Sequence, residues 1–197
     1  MSDSSEFLVL ISYDNQGQIL GCQGGSRECL EQELAMSEGN FLFAETEAKN
    51  SKHYVDVESL EVKEKGQPPS DGYVFNYDQK EWEFTLTLAK ELKWEEVKNQ
   101  RTNQEFSSFE WQGSQIQCDE VSQRRLQGAV QMAAINPSIV IDWTMEDNSV
   151  VSLTAPQVID MGTALGGHVT ATHEHGRMLR QLISDATTKA QLDLITW

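Results

Sequence analysis

The chain has 197 residues, 39% of them hydrophobic, with 15 Lys and Arg against 31 Asp and Glu, giving a net charge of −16. That length suits one large domain or two small ones, and so acidic a surface repels phosphate backbones, which argues against nucleic-acid binding. There is no run of about 18 apolar residues, which argues against a membrane span. The start, MSDSSEF, lacks the basic and apolar regions of a signal peptide. Cys22, Cys29 and Cys118 are odd in number and lack C-x-x-C spacing, so free thiols in a reducing cytoplasm are expected.

The first half is written in strands. In FLVLISYDNQGQILGC, Phe7, Val9, Ile11 and Tyr13 alternate, DNQG supplies turn chemistry, and Ile19 and Leu20 begin a return strand. RECLEQELAM suggests one or two helical turns and FLFAE a strand. HYVDVESLEV reads as strand, turn, strand, and KGQPPSDG as a loop that cannot continue a ladder. Then Tyr73, Phe75 and Tyr77 alternate, a polar DQKE follows, and Trp82, Phe84 and Leu86 alternate again. A two-stranded ribbon is not stable alone in water, and each ring buries about 150–250 Å². These rings must therefore lie against their own domain or against another subunit.

From about Thr85 the period becomes helical, with Leu88, Leu92 and Val97 on a thin apolar stripe. Such a stripe predicts a helix that spans between domains or pairs with a partner. Beyond it, FEWQGSQIQC is a hairpin, and DEVSQRRLQGAVQMAAI is a helix capped by Asp119. SIVIDWTMEDNSVVSL is a second hairpin. A longer helix follows, opened by the capping box of Thr154 and Gln157 with Pro156 in its first turn. The expected fold is α+β. A small antiparallel β domain of hairpins covers 1–84, a helical linker 85–106, and a domain alternating β-hairpins and α-helices 107–197.

In this second half the residues resemble a known family. KWEEVKNQR, FEWQGSQIQCDEVSQRRLQGAV, IDWTMEDNSVVSLTAPQV and HEHGRMLRQLISDA follow, in order, the landmarks of the DUF4376 domain of tailed-phage and prophage proteins. The resemblance covers about residues 90–186. Upstream, HYVDVESLEV, the proline-rich loop and YVFNYDQKEWEF are similar to segments that precede this domain in tail-fibre assembly and tail-associated proteins. The resemblance implies a non-enzymatic phage tail component in the virion tail, made in the host bacterial cytoplasm. Its partners would be fibre or baseplate subunits and further copies of itself. Two alternatives are a tail-fibre assembly chaperone that leaves the particle and a carbohydrate-binding receptor module.

The residues suggest no catalytic, cofactor or metal site. His168, His173, Glu174 and His175 are the densest metal-ligating set, but His168 and His175 lie seven residues apart, beyond the reach of one ion on a helix. Glu95 with Glu96, Asp119 with Glu120 and Glu146 with Asp147 are adjacent acids, but adjacency carries little weight among 31 acids; Asp119 is better explained as a cap and Glu146 and Asp147 as turn residues. In heptad register, Val158, Leu165, Thr172 and Leu179 share one position, and Met161, His168, His175 and Leu182 the other. That seam faces either a shorter helix of the same chain or a neighbour, and Gly162, Gly166 and Gly167 would permit close approach of another backbone or a kink. The expected partner surface is Tyr73, Phe75, Tyr77 and Trp82 on the hairpin, with Leu165, His168, Thr172, His175 and Leu179 on the long helix.

Overall fold

The computed structural model describes residues 7–197, and side chains from Leu8 onward. Residues 1–6, read above for a leader, and the Phe7 side chain lie outside the described residues. The fold is α+β, in two compact units, Met1–Thr85 and Leu86–Trp197.

In the first unit β1 (Phe7–Tyr13) is the centre of a three-stranded antiparallel sheet, flanked by β2 (Ile19–Ser26) and β3 (Asn40–Ala44). The alternation expected of β1 is only half of its pattern. Val9, Ile11 and Tyr13 pack with Ile19, Ala48 and Val55 on one face. Leu8 and Leu10 are buried on the other, beneath Leu30 of α1 (Arg27–Met36). A central strand covered on both faces is apolar at nearly every position, which is why FLVLISY contains no charge.

The β1–β2 turn is tied by Asp14, whose Oδ1 accepts the N–H groups of Gln16 and Gln18, each at 2.9 Å. Gly17, at φ +91°, accepts the Val55 N–H through its carbonyl at 2.9 Å. Val55 belongs to β4 (His53–Asp56), which pairs with β5 (Glu61–Glu64). The next hairpin, β6 (Tyr73–Asn76) with β7 (Glu81–Phe84), repeats it twenty residues on in the same register, Asp56 facing Glu61 as Asn76 faces Glu81. Asp56 Oδ1 accepts from the N–H groups of Glu58 and Ser59, and Asn76 Oδ1 from those of Asp78 and Gln79. The fourth loop residue has positive φ in both, Leu60 at 55° and Lys80 at 59°. The shared residue in each turn is thus a side-chain acceptor that folds the loop back on itself.

The second unit is built along α4 (Ala155–Asp185). It also holds α2 (Leu86–Glu105), the hairpin β8 (Phe109–Trp111) with β9 (Ser114–Ile116), and α3 (Glu120–Ile135). The hairpin β10 (Val140–Thr144) with β11 (Val150–Thr154) and the short α5 (Lys189–Asp193) complete it. The caps expected from sequence are present. Asp119 Oδ1 accepts the Ser122 N–H at 2.8 Å, and Gln157 Oε1 accepts the Thr154 N–H at 2.9 Å. The Gln112–Gly113 turn, both residues at positive φ, closes β8 onto β9 in the two-residue form that suits strand twist.

Two cores share α4. Val158, Met161 and Leu165 pack with Leu126, Ala129 and Ala133 of α3 and with Phe109, Trp111, Ile116 and Leu153 of the hairpins. Leu179 and Ile183 pack with Val97 of α2 and with Leu192 and Ile195. The helix expected as a linker is therefore part of this unit. Of the expected stripe only Val97 is buried and Leu92 is exposed; the face that packs is Leu86, Ala89, Trp94 and Val97, set against the C-terminal half of α4, where Lys90 Nζ also donates to the Ser184 carbonyl at 2.7 Å. Arg180 lies over the Trp94 ring, 5.1 Å from its centroid. Gly162 accommodates a side chain of α3 and not a second backbone, since a Cβ there would lie 2.5 Å from Val130 Cγ2.

Candidate interaction surfaces

Two aromatic and ionic clusters hold the hairpins of the first unit together. Asp56, buried beside the first turn, accepts from Lys63 Nζ at 2.5 Å and from Lys80 Nζ at 3.1 Å. Lys80 is the positive-φ residue of the second hairpin, so one turn ties down the acceptor of the other. The two lysines, Lys63 foremost, hold the Asp56 carboxyl well below the usual carboxylate range. A depressed folded value makes this contribution complete above pH ~4 and lost as pH falls below it. The gap in unfolding midpoint between the native chain and Asp56→Asn is accordingly expected to be wide at neutral pH and to narrow below pH ~4. Acid titration of the two melts measures it, and a gap that stays constant with pH would contradict the pairing.

The rings form the second cluster. Phe75 is buried and meets Tyr54 at 5.2 Å, Tyr77 at 5.2 Å and Trp82 at 5.4 Å between centroids, the last two edge to face. Tyr73 meets Phe84 at 5.6 Å. Lys65 lies in the middle, its Nζ 4.5 Å from the Tyr77 centroid and 5.1 Å from that of Phe75. It donates to Tyr77 Oη and to the Asn50 carbonyl, each at 2.6 Å. Trp82 Nε1 donates to the Lys65 carbonyl at 2.9 Å, and Tyr77 Oη to Asn50 Oδ1 at 2.8 Å. Burial lowers the Lys65 pKa and raises that of Tyr77, whose shift the Asp14 charge reinforces and the Asn50 hydrogen bond opposes. Phe75 is therefore removed from the expected partner surface, because its ring is enclosed by its own unit. Tyr73, Tyr77 and Trp82 stay half-buried, with the polar ends of Tyr77 and Trp82 already engaged.

On α4 the expected seam is divided. Leu165, Thr172 and Leu179 are buried within the second unit, so they are corrected from partner contacts to core. The reason is geometric: α3 covers one half of that face of α4, and α2 with the C-terminal segment covers the other. The half-buried histidines bind locally. His168 Nε2 lies 2.9 Å from the Gln104 carbonyl, with its ring stacked on Phe109. His173 Nε2 lies 3.0 Å from Glu105 Oε2, and His175 meets the Trp197 ring edge-on at 4.7 Å. Both His168 and His173 thus fasten the C-terminal end of α2. Among the described residues no three His, Cys, Asp or Glu side chains converge as a metal site would require. Cys118 is a free, buried thiol whose pKa is raised by that burial.

An open apolar groove lies where the C-terminal part of α4 meets the segment after α5, one of several places where large apolar side chains such as Ile135 and Val150 are exposed. Met178 is 52% exposed, Leu182 48% and Leu194 83%, around a groove of about 480 Å³ that His175 and Ile195 also line. Sequence reasoning placed Leu182 in the seam but missed Met178 and Leu194, which fall outside the heptad pattern.

The second unit coincides with a family match. The family described as Domain of unknown function (DUF4376) matches residues 88–196, from α2 to the end of the C-terminal segment. The chain belongs to this family. No curated protein and no solved structure matches it.

Proposed function

We propose that the chain is a non-enzymatic bacteriophage tail component, associated with the fibre or baseplate, that helps build or attach the host-adsorption apparatus. The observation that carries this reading is the exposed apolar groove of Met178, Leu182 and Leu194 on the DUF4376 domain; the tail context itself comes from the sequence resemblance described above. An apolar surface of this kind on an otherwise acidic chain suits contact with another protein. The groove serves self-association or a neighbouring tail subunit, and the acidic first unit favours partners with basic surfaces. Sugar stacking is less well supported, because the hairpin rings already pack on one another.

Quantitative mass spectrometry of purified virions tests the reading. The chain is expected in fixed ratio to fibre or baseplate subunits. Its absence from the particle would replace the structural role with that of an assembly chaperone, for which the same groove serves. Light scattering tests the surface: Met178→Glu with Leu182→Glu is expected to convert a self-associated chain to monomer. The cost in folding stability is expected to be under ~1 kcal/mol, since both positions are largely exposed.

A further inference from the structure

The first unit has a sheet edge that no strand pairs with among the described residues, although β4 lies close to it. β2 reads ILGCQGGS, eight residues with no charge and no proline, and it is an outer strand whose free side pairs with nothing among the described residues. Exposed edges in folded proteins generally carry lysines, prolines or bulges that discourage a further strand. Here the bulge lies at the Ser12/Tyr13 end only. Three glycines, at 21, 24 and 25, leave the backbone uncovered, and Leu20 is 66% exposed. β3, the opposite edge, is shorter, and its five residues are all half-covered.

The surroundings of β2 specify what would pair with it. Gly21, Gln23 and Gly25 stand opposite Ser12, Leu10 and Leu8, on the face overlaid by α1, and a Cβ on Gly25 would meet Leu30 at 3.5 Å. α1 carries Glu28, Glu31 and Glu33, with Glu31 alone among them in an ion pair to a described residue, Arg27 at 3.7 Å. Cys22 and Gly24 stand opposite Ile11 and Val9, on the apolar face. Residues 1–85 hold 6 Lys and Arg against 17 Asp and Glu. Two copies joined through β2 would bring like charges together, whereas a basic strand would not.

We propose that the free side of β2 accepts an extended strand from a basic partner protein. Lysine or arginine alternates along that strand's face beside α1, and small apolar residues lie on its other face. Main-chain hydrogen bonds supply the pairing, as in other strand additions, and the acidic excess of residues 1–85 selects the charge. The proposal rests on the partner-contact reading above and names a separate surface for it.

Three nine-residue peptides, alternating Lys-Val, Glu-Val and Lys-Pro, test it against the full chain by fluorescence anisotropy and hydrogen exchange. The Lys-Val peptide is expected to bind about tenfold more tightly than either other peptide and to slow exchange at residues 19–26. Gln23→Lys, which places a like charge on the α1 face, is expected to weaken it about tenfold, while Gln23→Glu retains it. Equal binding by Lys-Pro, no binding, or protection confined to other residues would overturn the proposal. So would a dimer seen by light scattering that Gln23→Lys dissolves. Virion composition is independent of these readouts. Protection at 19–26 with the chain missing from virions would sink the tail reading and leave the edge standing, and the converse would remove the edge alone.

Discussion

Gly17→Ala is expected to destabilise the first unit by ~3 kcal/mol, enough to remove much of the stability of a domain this small. A Cβ at this position would lie 1.9 Å from the Val55 carbonyl oxygen, and the φ of +91° is one that an alanine rarely adopts. Neither strain can be relieved locally. The obstructing atom is backbone, and the Gly17 carbonyl is itself held by the Val55 N–H. Relief requires moving β4 off the sheet, which would uncover Val55 and the core beneath it. Gly113→Ala is the control: φ is +79° but nothing lies within 4 Å, so only the conformational cost of ~1 kcal/mol is expected. Hydrogen exchange measures both, with residues 7–85 losing protection in Gly17→Ala while 86–197 keep theirs. Equal effects of the two substitutions would refute the steric account.

Met161→Ala is expected to cost about 2–5 kcal/mol in the second unit. Met161 has no exposed surface and sits where α3 and the hairpins converge on α4. Removing its side chain leaves a cavity bounded by secondary structure on several sides, so collapse is limited. Met178→Ala on the same helix, at a position 52% exposed, is expected to stay within ~0.5 kcal/mol. Denaturant unfolding of the two variants gives the comparison. A similar loss in both would mean that α4 lacks the sidedness described for it.

The division between what was legible in the sequence and what was not follows the range of the forces involved. Asp119, the Thr154–Gln157 pair and the Gln112–Gly113 turn act within a few residues, and their roles are visible in the order of the chain. The hairpins and the α+β class are visible for the same reason. Lys65 was hidden in a proline-rich loop because its partners, Asn50, Phe75 and Tyr77, come from both sides of it in sequence. β1 reads as a half-buried strand because periodicity cannot report that α1 returns to cover its second face. One position of the α4 seam, Val158, Leu165, Thr172 and Leu179, is buried while Leu182 of the other is exposed, and the choice left open between a helix of the same chain and a neighbour depends on where α2 and α3 pack. The repeat of the two hairpins escaped notice because Asp56 and Asn76 do one job with different chemistry, as do Leu60 and Lys80.

That repeat bears on how such a chain can change length. Lys80 reaches from the left-handed position of one turn to the acceptor of the preceding one, and Asn76 offers the corresponding acceptor. Duplicating a twenty-residue block would therefore add a module that arrives with its own attachment point. Evolution, or an engineer, can lengthen the array by copying a cassette, with no new fold to invent at the join.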